Sequence, residues 1–360
     1  MPGVYLSFPF CAQKCTYCNF ASGVFPRSMA GDYLAKMRRE LAATVWPWRP
    51  ETVYLGGGTP SLIDPEAFEH LLAAVPGREW REATVEAAPG TFDRAKAAAW
   101  RRAGVNRVSL GVQSFVTAEL RRTGRRHDAA QVAADVALLR EHGLGEINID
   151  LIAGLAGQTV ASWRESLGWI ERLAPPHVSV YMLEVDGDSN LGREILNHGS
   201  RYAAAAVPSD DAIAEMYETA VDELARLGIE RYEISNFARP GSASRHNLKY
   251  WSREPYLGFG ADAHSFDGRR RWQNVEAPAE YLARDNPAEE ATDADPVAEK
   301  FFVGLRLERG VDPAPGERAR YGERINRLVR AGVLEDDGAT VRLTRRGVLV
   351  SNEVFAEFLE

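Results

Sequence analysis

Through roughly residue 240 the chain alternates short strand-like runs with longer helix-like ones, and that alternation restricts the fold more than any other feature. The strand candidates are "VYLSF" (4–8), "TVYLGGG" (52–58), "ATVEAAP" (83–89), "RVSLGVQ" (107–113), "EINIDLIAG" (146–154) and "HVSVYMLEV" (177–185). Amphipathic stretches lie between them. In "AAQVAADVALLREHG", Val132, Val136 and Leu139 share one helical face, and Gly143 supplies a stop signal. Strand–helix units in succession imply a parallel sheet with right-handed crossovers.

Side-chain alternation separates a barrel from an open sheet. In "EINIDLIAG", Ile147, Ile149 and Leu151 point one way, Asn148 and Asp150 the other. Val85 opposes Glu86, and Val112 opposes Gln113, in the same manner. Open doubly wound sheets are usually apolar on both faces. One polar face is expected of a barrel lined by a working site. The reading is α/β: a partial (β/α)6 TIM-like barrel over 1–240.

A connecting segment, 241–290, follows. After the polar stretch "DNPAEEATDADP", residues 291–360 read as two helices and a hairpin turning at Asp337-Gly338, a small winged-helix-like domain. Its acidic tip, Glu335-Asp336-Asp337, would repel phosphates, so packing is the expected role rather than reading DNA. Net charge is −8, which agrees with no nucleic-acid partner. The cluster Arg121, Arg122, Arg125 and Arg126 reads as solvated surface. No run of about 18 apolar residues occurs, so no transmembrane segment is expected.

All three cysteines, Cys11, Cys15 and Cys18, fall in "SFPFCAQKCTYCNF", spaced C-x3-C-x2-C. They make a poor disulfide framework, and only ten residues precede them, with no room for a signal peptide; the cytoplasm is the expected compartment. A structural zinc site takes four ligands, usually as two pairs, and there is no second pair. A disulfide would leave one thiol over. Three thiolates can hold three irons of a four-iron cluster and leave the fourth iron open.

The cysteine motif, with Tyr17 before its last thiol, resembles that of the radical S-adenosylmethionine (SAM) superfamily. There the open iron chelates the amino and carboxylate groups of SAM, and the reduced cluster cleaves SAM to a deoxyadenosyl radical. "YLSFPFC", "GGGTPS" (56–61), "VEAAPGT" (85–91), "RVSLGVQSF" (107–115) and "INIDLIAGL" (147–155) look like the oxygen-independent coproporphyrinogen III dehydrogenase group. "RHNLKYW" (245–251) and "GFGADAHSF" (258–266) look like its heme-chaperone subfamily, the HemW type. The resemblance spans essentially the whole chain.

It implies a 4Fe-4S cluster on Cys11, Cys15 and Cys18, with SAM near Tyr5, Gly57, Gly58, Thr59 and Glu86. Gln113, Arg125 and Asp150 match positions lining a second SAM site in the dehydrogenase. Glycines at 56–58 could bring backbone amides close to a ligand, although a lone triplet is usually a turn. Tyr5 could equally be core, and Glu86 a structural ion-pair partner. His246 is the candidate heme ligand, with Tyr250 and Trp251 as flat contacts and His264 as the second imidazole. A His beside aromatics is, taken alone, more often structural. The subfamily implies heme as cargo and a heme acceptor protein as partner. The dehydrogenase has a fourth cysteine where this chain has Phe20, and a longer N-terminal segment. Both departures favour the chaperone over the alternative, oxygen-independent coproporphyrinogen III oxidation.

Overall fold

A computed structural model of the protein describes residues 2–359. Six strands run parallel in chain order: β1 (Gly3–Phe8), β2 (Thr52–Gly57), β3 (Glu82–Ala87), β4 (Arg107–Gln113), β5 (Glu146–Ala153) and β6 (His177–Met182). Each sequence-predicted strand is present. The outward residues of β5, Ile147, Ile149 and Leu151, are fully buried in the main hydrophobic core. Helix Ala129–Glu141 contributes Val132, Val136 and Leu139 to that core, as the periodicity indicated.

The inner face is polar. Register aligns Glu86, Ser109, Asn148 and His177 in one layer, and Gly111, Asp150 and Ser179 in the next toward the C-terminal strand ends. The barrel does not close. β6 pairs with β8 (Asn236–Ala238), itself antiparallel to β7 (Glu230–Glu233). On the other side β1 pairs with β9 (Tyr256–Phe259), followed by β10 (His264–Phe266), β11 (Arg270–Gln273) and β12 (Thr292–Asp293), in one 12-stranded sheet. The stretch 241–290, read from sequence as a connection, therefore extends the main sheet. A free β1 edge offers unpaired backbone groups, and β9 satisfies them.

The C-terminal region has helices Pro296–Gly304 and Pro315–Arg330, then a hairpin of β13 (Leu334–Asp336) and β14 (Val341–Leu343). Gly338 takes φ +90° at its turn. Phe301, Tyr321 and Phe358 stack into a local core. Backbone bonds tie this region to the sheet: Ile234 N–H donates to Arg306 O (3.1 Å) and Glu308 N–H to Tyr232 O (3.0 Å). Among the described residues no helix is long and apolar enough to cross a membrane.

Helix Arg245–Trp251, the "RHNLKYW" stretch, packs at the N-terminal strand ends. The Glu82 carboxylate, at the start of β3, accepts from Ser244 Oγ (3.1 Å) and from the amides of Arg245 and His246 (both 2.9 Å). Thr52, its neighbour at the start of β2, accepts from Lys249 Nζ (2.7 Å). Burial lowers the Lys249 pKa to about 8, opposed by the charges of Glu82 and Glu51. Glu82→Ala would leave two buried donors and one half-buried donor without an acceptor, so a loss of roughly 3 kcal/mol is expected. Urea unfolding of the variant measures it; a loss below about 0.5 kcal/mol would contradict this anchoring role.

Candidate functional site

The cysteine loop leaves β1 at its C-terminal end and is held by backbone bonds. Cys11 N–H donates to Gly23 O (2.8 Å) and Gly23 N–H to Pro9 O (2.9 Å), closing the loop at its base. Thr16 donates to Thr123 O (3.2 Å) and accepts from Leu191 N–H (2.7 Å), and Cys18 N–H turns back to Cys15 O (3.2 Å). All three thiols are free, half-buried and open on one cavity of about 850 Å³. Burial pushes the Cys11 thiol pKa up, hydrogen bonds with Thr59 and Ser22 oppose that, and Cys18 and Cys15 add to the rise.

Among the described residues no three His, Cys, Asp or Glu side chains form a group that could hold one metal ion. A four-iron cluster makes a different demand, because each thiolate binds its own iron. Three half-buried thiols on one cavity wall, with no fourth cysteine in the chain, are a donor set that fits such a cluster and leaves one iron open.

Gly57, Gly58 and Thr59 line the same cavity, but their amides do not face a ligand. Gly57 N–H donates to Glu86 Oε2 (3.0 Å), Gly58 N–H to Phe8 O (2.8 Å) and Thr59 N–H to Phe10 O (2.9 Å). The sequence expectation of ligand-facing amides is therefore corrected. The Gly58 and Thr59 amides stitch the end of β2 to β1 and to the base of the cysteine loop, and the Gly57 amide holds Glu86. The glycines serve close approach: a Cβ on Gly58 would meet Phe10 O and Pro9 C at 2.7 Å, and Gly57 takes φ +108°.

Glu86 sits on the inner face of β3 and lines the cavity. Tyr54 Oη donates to its Oε1 (2.8 Å). Burial raises its pKa to about 7; the Tyr54 and Gly57 hydrogen bonds oppose this, and Asp150 adds to it. Asp150 accepts from Ser109 Oγ (3.1 Å) and Asn148 Nδ2 (2.7 Å), and burial raises its pKa too. Tyr5 does not line the cavity. Its ring stacks on Tyr54 (6.0 Å between centroids), so it supports the floor beneath Glu86.

At the C-terminal end of β4 the β4–β5 register shifts between Gly111 and Gln113, and Gln113 takes φ +72°. Such strain in a non-glycine residue gathers at functional sites. Arg125 donates to Gly111 O (2.6 Å) and Tyr17 Oη (3.1 Å). Gln113 Oε1 and Arg125 Nε are buried without a partner among the described residues, and both residues line the cavity. An unmet buried polar atom costs on the order of 1–3 kcal/mol. Two of them on one cavity wall mark a place for a polar ligand.

Comparison with known proteins agrees with this geometry. Residues 5–170 match the family model described as the Radical SAM superfamily. The solved Escherichia coli coproporphyrinogen III oxidase (HemN), described as a radical SAM enzyme, superposes with TM-score 0.83 at 20% identity, covering 99% of this chain and 89% of that one. That likeness establishes the α/β radical SAM fold. Heme chaperone HemW of Bacillus subtilis is 33% identical over 100% of this chain and 99% of the relative, and that of Lactococcus lactis 32% over 99% and 96%. The chain belongs to the HemW family. A mouse relative, radical S-adenosyl methionine domain-containing protein 1, mitochondrial, is 35% identical over 72% of this chain and 60% of its own length.

Within this HemW-family chain the "RHNLKYW" residues lie apart from the cavity, which corrects the heme-ligand expectation for this conformation. His246 is fully buried. Its Nδ1 meets Thr52 Oγ1 (2.9 Å) and its Nε2 meets Tyr250 Oη (2.7 Å). Both ring nitrogens are therefore engaged, one donating and one accepting in either neutral tautomer. Burial, with the Lys249 charge, drives the imidazole pKa well down. No ring nitrogen is left for iron. Tyr250 packs edge-on against Tyr256 (4.7 Å), and Trp251 lies under the Arg306 guanidinium (4.3 Å). His264 is exposed on β10 and does not line the cavity.

Sequence reasoning missed Tyr54 and Ser109, which donate to Glu86 and Asp150, and Tyr181, which lines the cavity. Ser109 lies four residues before Gln113, so the two-residue period of β4 reaches it; Tyr54 and Tyr181 have no identified neighbour in phase on their own strands. His127, buried on the cavity wall with Nε2 at 3.1 Å from Val112 O, carries no local signal; burial and Arg125 lower its pKa to about 4.

Glu86 gives a pH test. Its folded pKa, about 7, lies above the ordinary value of 4.5. Between those values the folded chain keeps a proton that the unfolded chain has lost, so this residue's contribution to stability falls as pH rises. Melting curves of the ligand-free protein should show wild type losing ground to Glu86→Gln between about pH 5 and 7.5. Parallel curves for the two proteins would contradict the raised pKa.

Proposed function

We propose that this chain is a heme chaperone that holds a four-iron cluster on Cys11, Cys15 and Cys18, binds SAM on the polar barrel face, and delivers heme to an acceptor protein. Similarity to curated HemW relatives at 32–33% identity over nearly the whole length of both chains supports the heme role. The observation that carries the cofactor reading is one cavity shared by three free thiols and two unpaired polar groups.

When bound, the cluster supplies an electron and an open iron that SAM's amino and carboxylate groups can occupy. The chain's own residues bind and orient. The carbonyl oxygens of Gly57 and Gly58 accept N–H groups of that amino group, and Thr59 borders it. Glu86 holds a ribose hydroxyl or an ammonium, and its pKa falls on contact with a cation. Arg125 Nε donates to a carboxylate or hydroxyl, Gln113 Oε1 accepts from a hydroxyl, and Asp150 shares that polar wall. Tyr5 fixes the ring beneath. Unpaired thiols suit a reducing compartment, and we assign the cytoplasm.

Phe20 stands exposed in the cavity lining where the dehydrogenase-type resemblance calls for a thiol, which favours a chaperone over an enzyme. The experiment is anaerobic. Reconstituted protein is assayed for heme binding and for coproporphyrinogen III oxidation, with SAM and reductant, on one sample. Heme binding without protoporphyrinogen formation is expected; many turnovers per protein would make this an enzyme. Cys18→Ala should lose the cluster by iron and sulfide analysis, since no spare thiol exists. A full, stable cluster in that variant would contradict the assigned ligands.

A further inference from the structure

Away from the thiols the cavity extends between β6, helix Asp210–Arg226 and the C-terminal stretch around Leu349. Ile152, Met182, Ile213, Ile234 and Leu349 give it an apolar strip, and Glu184, Asp210 and Glu353 border the same end. Arg306 is the cation there among the described residues. This arginine is held from three sides. Trp251 lies flat beneath the guanidinium at 4.3 Å, Glu233 Oε2 stands 3.6 Å from Nη2, and the Arg306 carbonyl accepts from Ile234 N–H.

The holding is electrostatic and by stacking, and it leaves the hydrogen-bond donors unspent. Arg306 makes no side-chain hydrogen bond to a described residue, and its Nε is a buried donor without a partner. Trp251 Nε1 is likewise a buried donor without a hydrogen-bond partner, and Glu233 Oε2 has the Arg306 ion pair but no hydrogen bond. Glu233 is fully buried, and its other oxygen accepts from Ser235 N–H (3.0 Å) and Asn236 Nδ2. An arginine fixed by an aromatic face, with its fork unspent beside an apolar wall, matches a ligand with an apolar body and a carboxylate.

We propose that Arg306 anchors a propionate of the heme cargo, with the macrocycle against the apolar wall, and that Trp251 is the positioning residue beneath it. This rests on the heme-chaperone reading and deepens it. It also gives the last residue of "RHNLKYW" a part in heme binding that needs no nitrogen from His246. The same chemistry could serve the carboxylate of SAM, and the test separates the two.

Reconstituted full-length protein is titrated anaerobically with heme and with heme dimethyl ester, whose propionates carry no charge. Losing a charged hydrogen bond corresponds to about tenfold or more in affinity. Wild type is expected to bind the ester about tenfold more weakly than heme. Arg306→Gln should bind heme about tenfold more weakly than wild type, no longer distinguish heme from ester, and keep its SAM affinity. Trp251→Leu should narrow the heme–ester difference without changing ester binding, which a merely structural loss would not do. Equal wild-type affinity for heme and ester overturns the anchor without relying on any variant. Loss of SAM binding with heme discrimination intact assigns Arg306 to SAM and also overturns it. Wild type that binds neither porphyrin overturns the heme-chaperone reading together with this site, whereas heme binding indifferent to its propionates overturns the site alone.

Discussion

The side chain of Asn148 holds the polar interior of the barrel together. Its Nδ2 lies within hydrogen-bond reach of Ser109 Oγ (2.8 Å), Asp150 Oδ1 (2.7 Å) and Ser179 Oγ (2.9 Å), and its Oδ1 accepts from His177 (2.6 Å). A parallel sheet with one polar face survives burial only if such groups find partners, because each unmet one is costly in a low-dielectric interior. Here β4, β5 and β6 supply the partners to one another. Unpaired atoms remain on either side of this layer: Thr84 Oγ1 and Arg107 Nη2 toward the N-terminal strand ends, and Gln113 Oε1 and Arg125 Nε toward the C-terminal ends, where the cavity opens. The site lies on the side whose unsatisfied groups share a cavity with the thiols.

The thiol loop inherits its position from that arrangement. Gly58 lets the end of β2 run against the loop's backbone, where a side chain would collide, and Gly57 takes the positive φ that leads into it. Tyr17 links the loop to Arg125, which is itself bound to the β4 bulge through Gly111 O. A ligand that engages Arg125 therefore touches a residue joined to both the thiol loop and the barrel wall. At the opposite strand ends Glu82 and Thr52 fix helix Arg245–Trp251, whose last residue lies under Arg306.

Much of this was legible in the chain itself. The six parallel strands were readable because apolar residues recur every second position on one face, and the thiol loop because three cysteines fall within eight residues. Asp150 and Gln113 announced the polar face by opposing apolar neighbours. What the sequence hid depends on distant partners. The role of His246 is set by Thr52, 194 residues away, and the fate of the Gly58 and Thr59 amides by Phe8 and Phe10. Strands β7 to β12, of two to four residues, are too short for a period to register, and pairing with an existing sheet edge stabilises them.

The central claim is that the three thiols and the polar barrel face form one site, in which a cluster with an open iron meets SAM. Electron paramagnetic resonance of the reduced, reconstituted protein, recorded with and without SAM, measures this directly. A clear change in the cluster signal on adding SAM, weakened in Asp150→Ala at unchanged iron content, is the expected result. An unchanged spectrum at saturating SAM would contradict it, and would mean a cluster with no iron open to a ligand in this cavity.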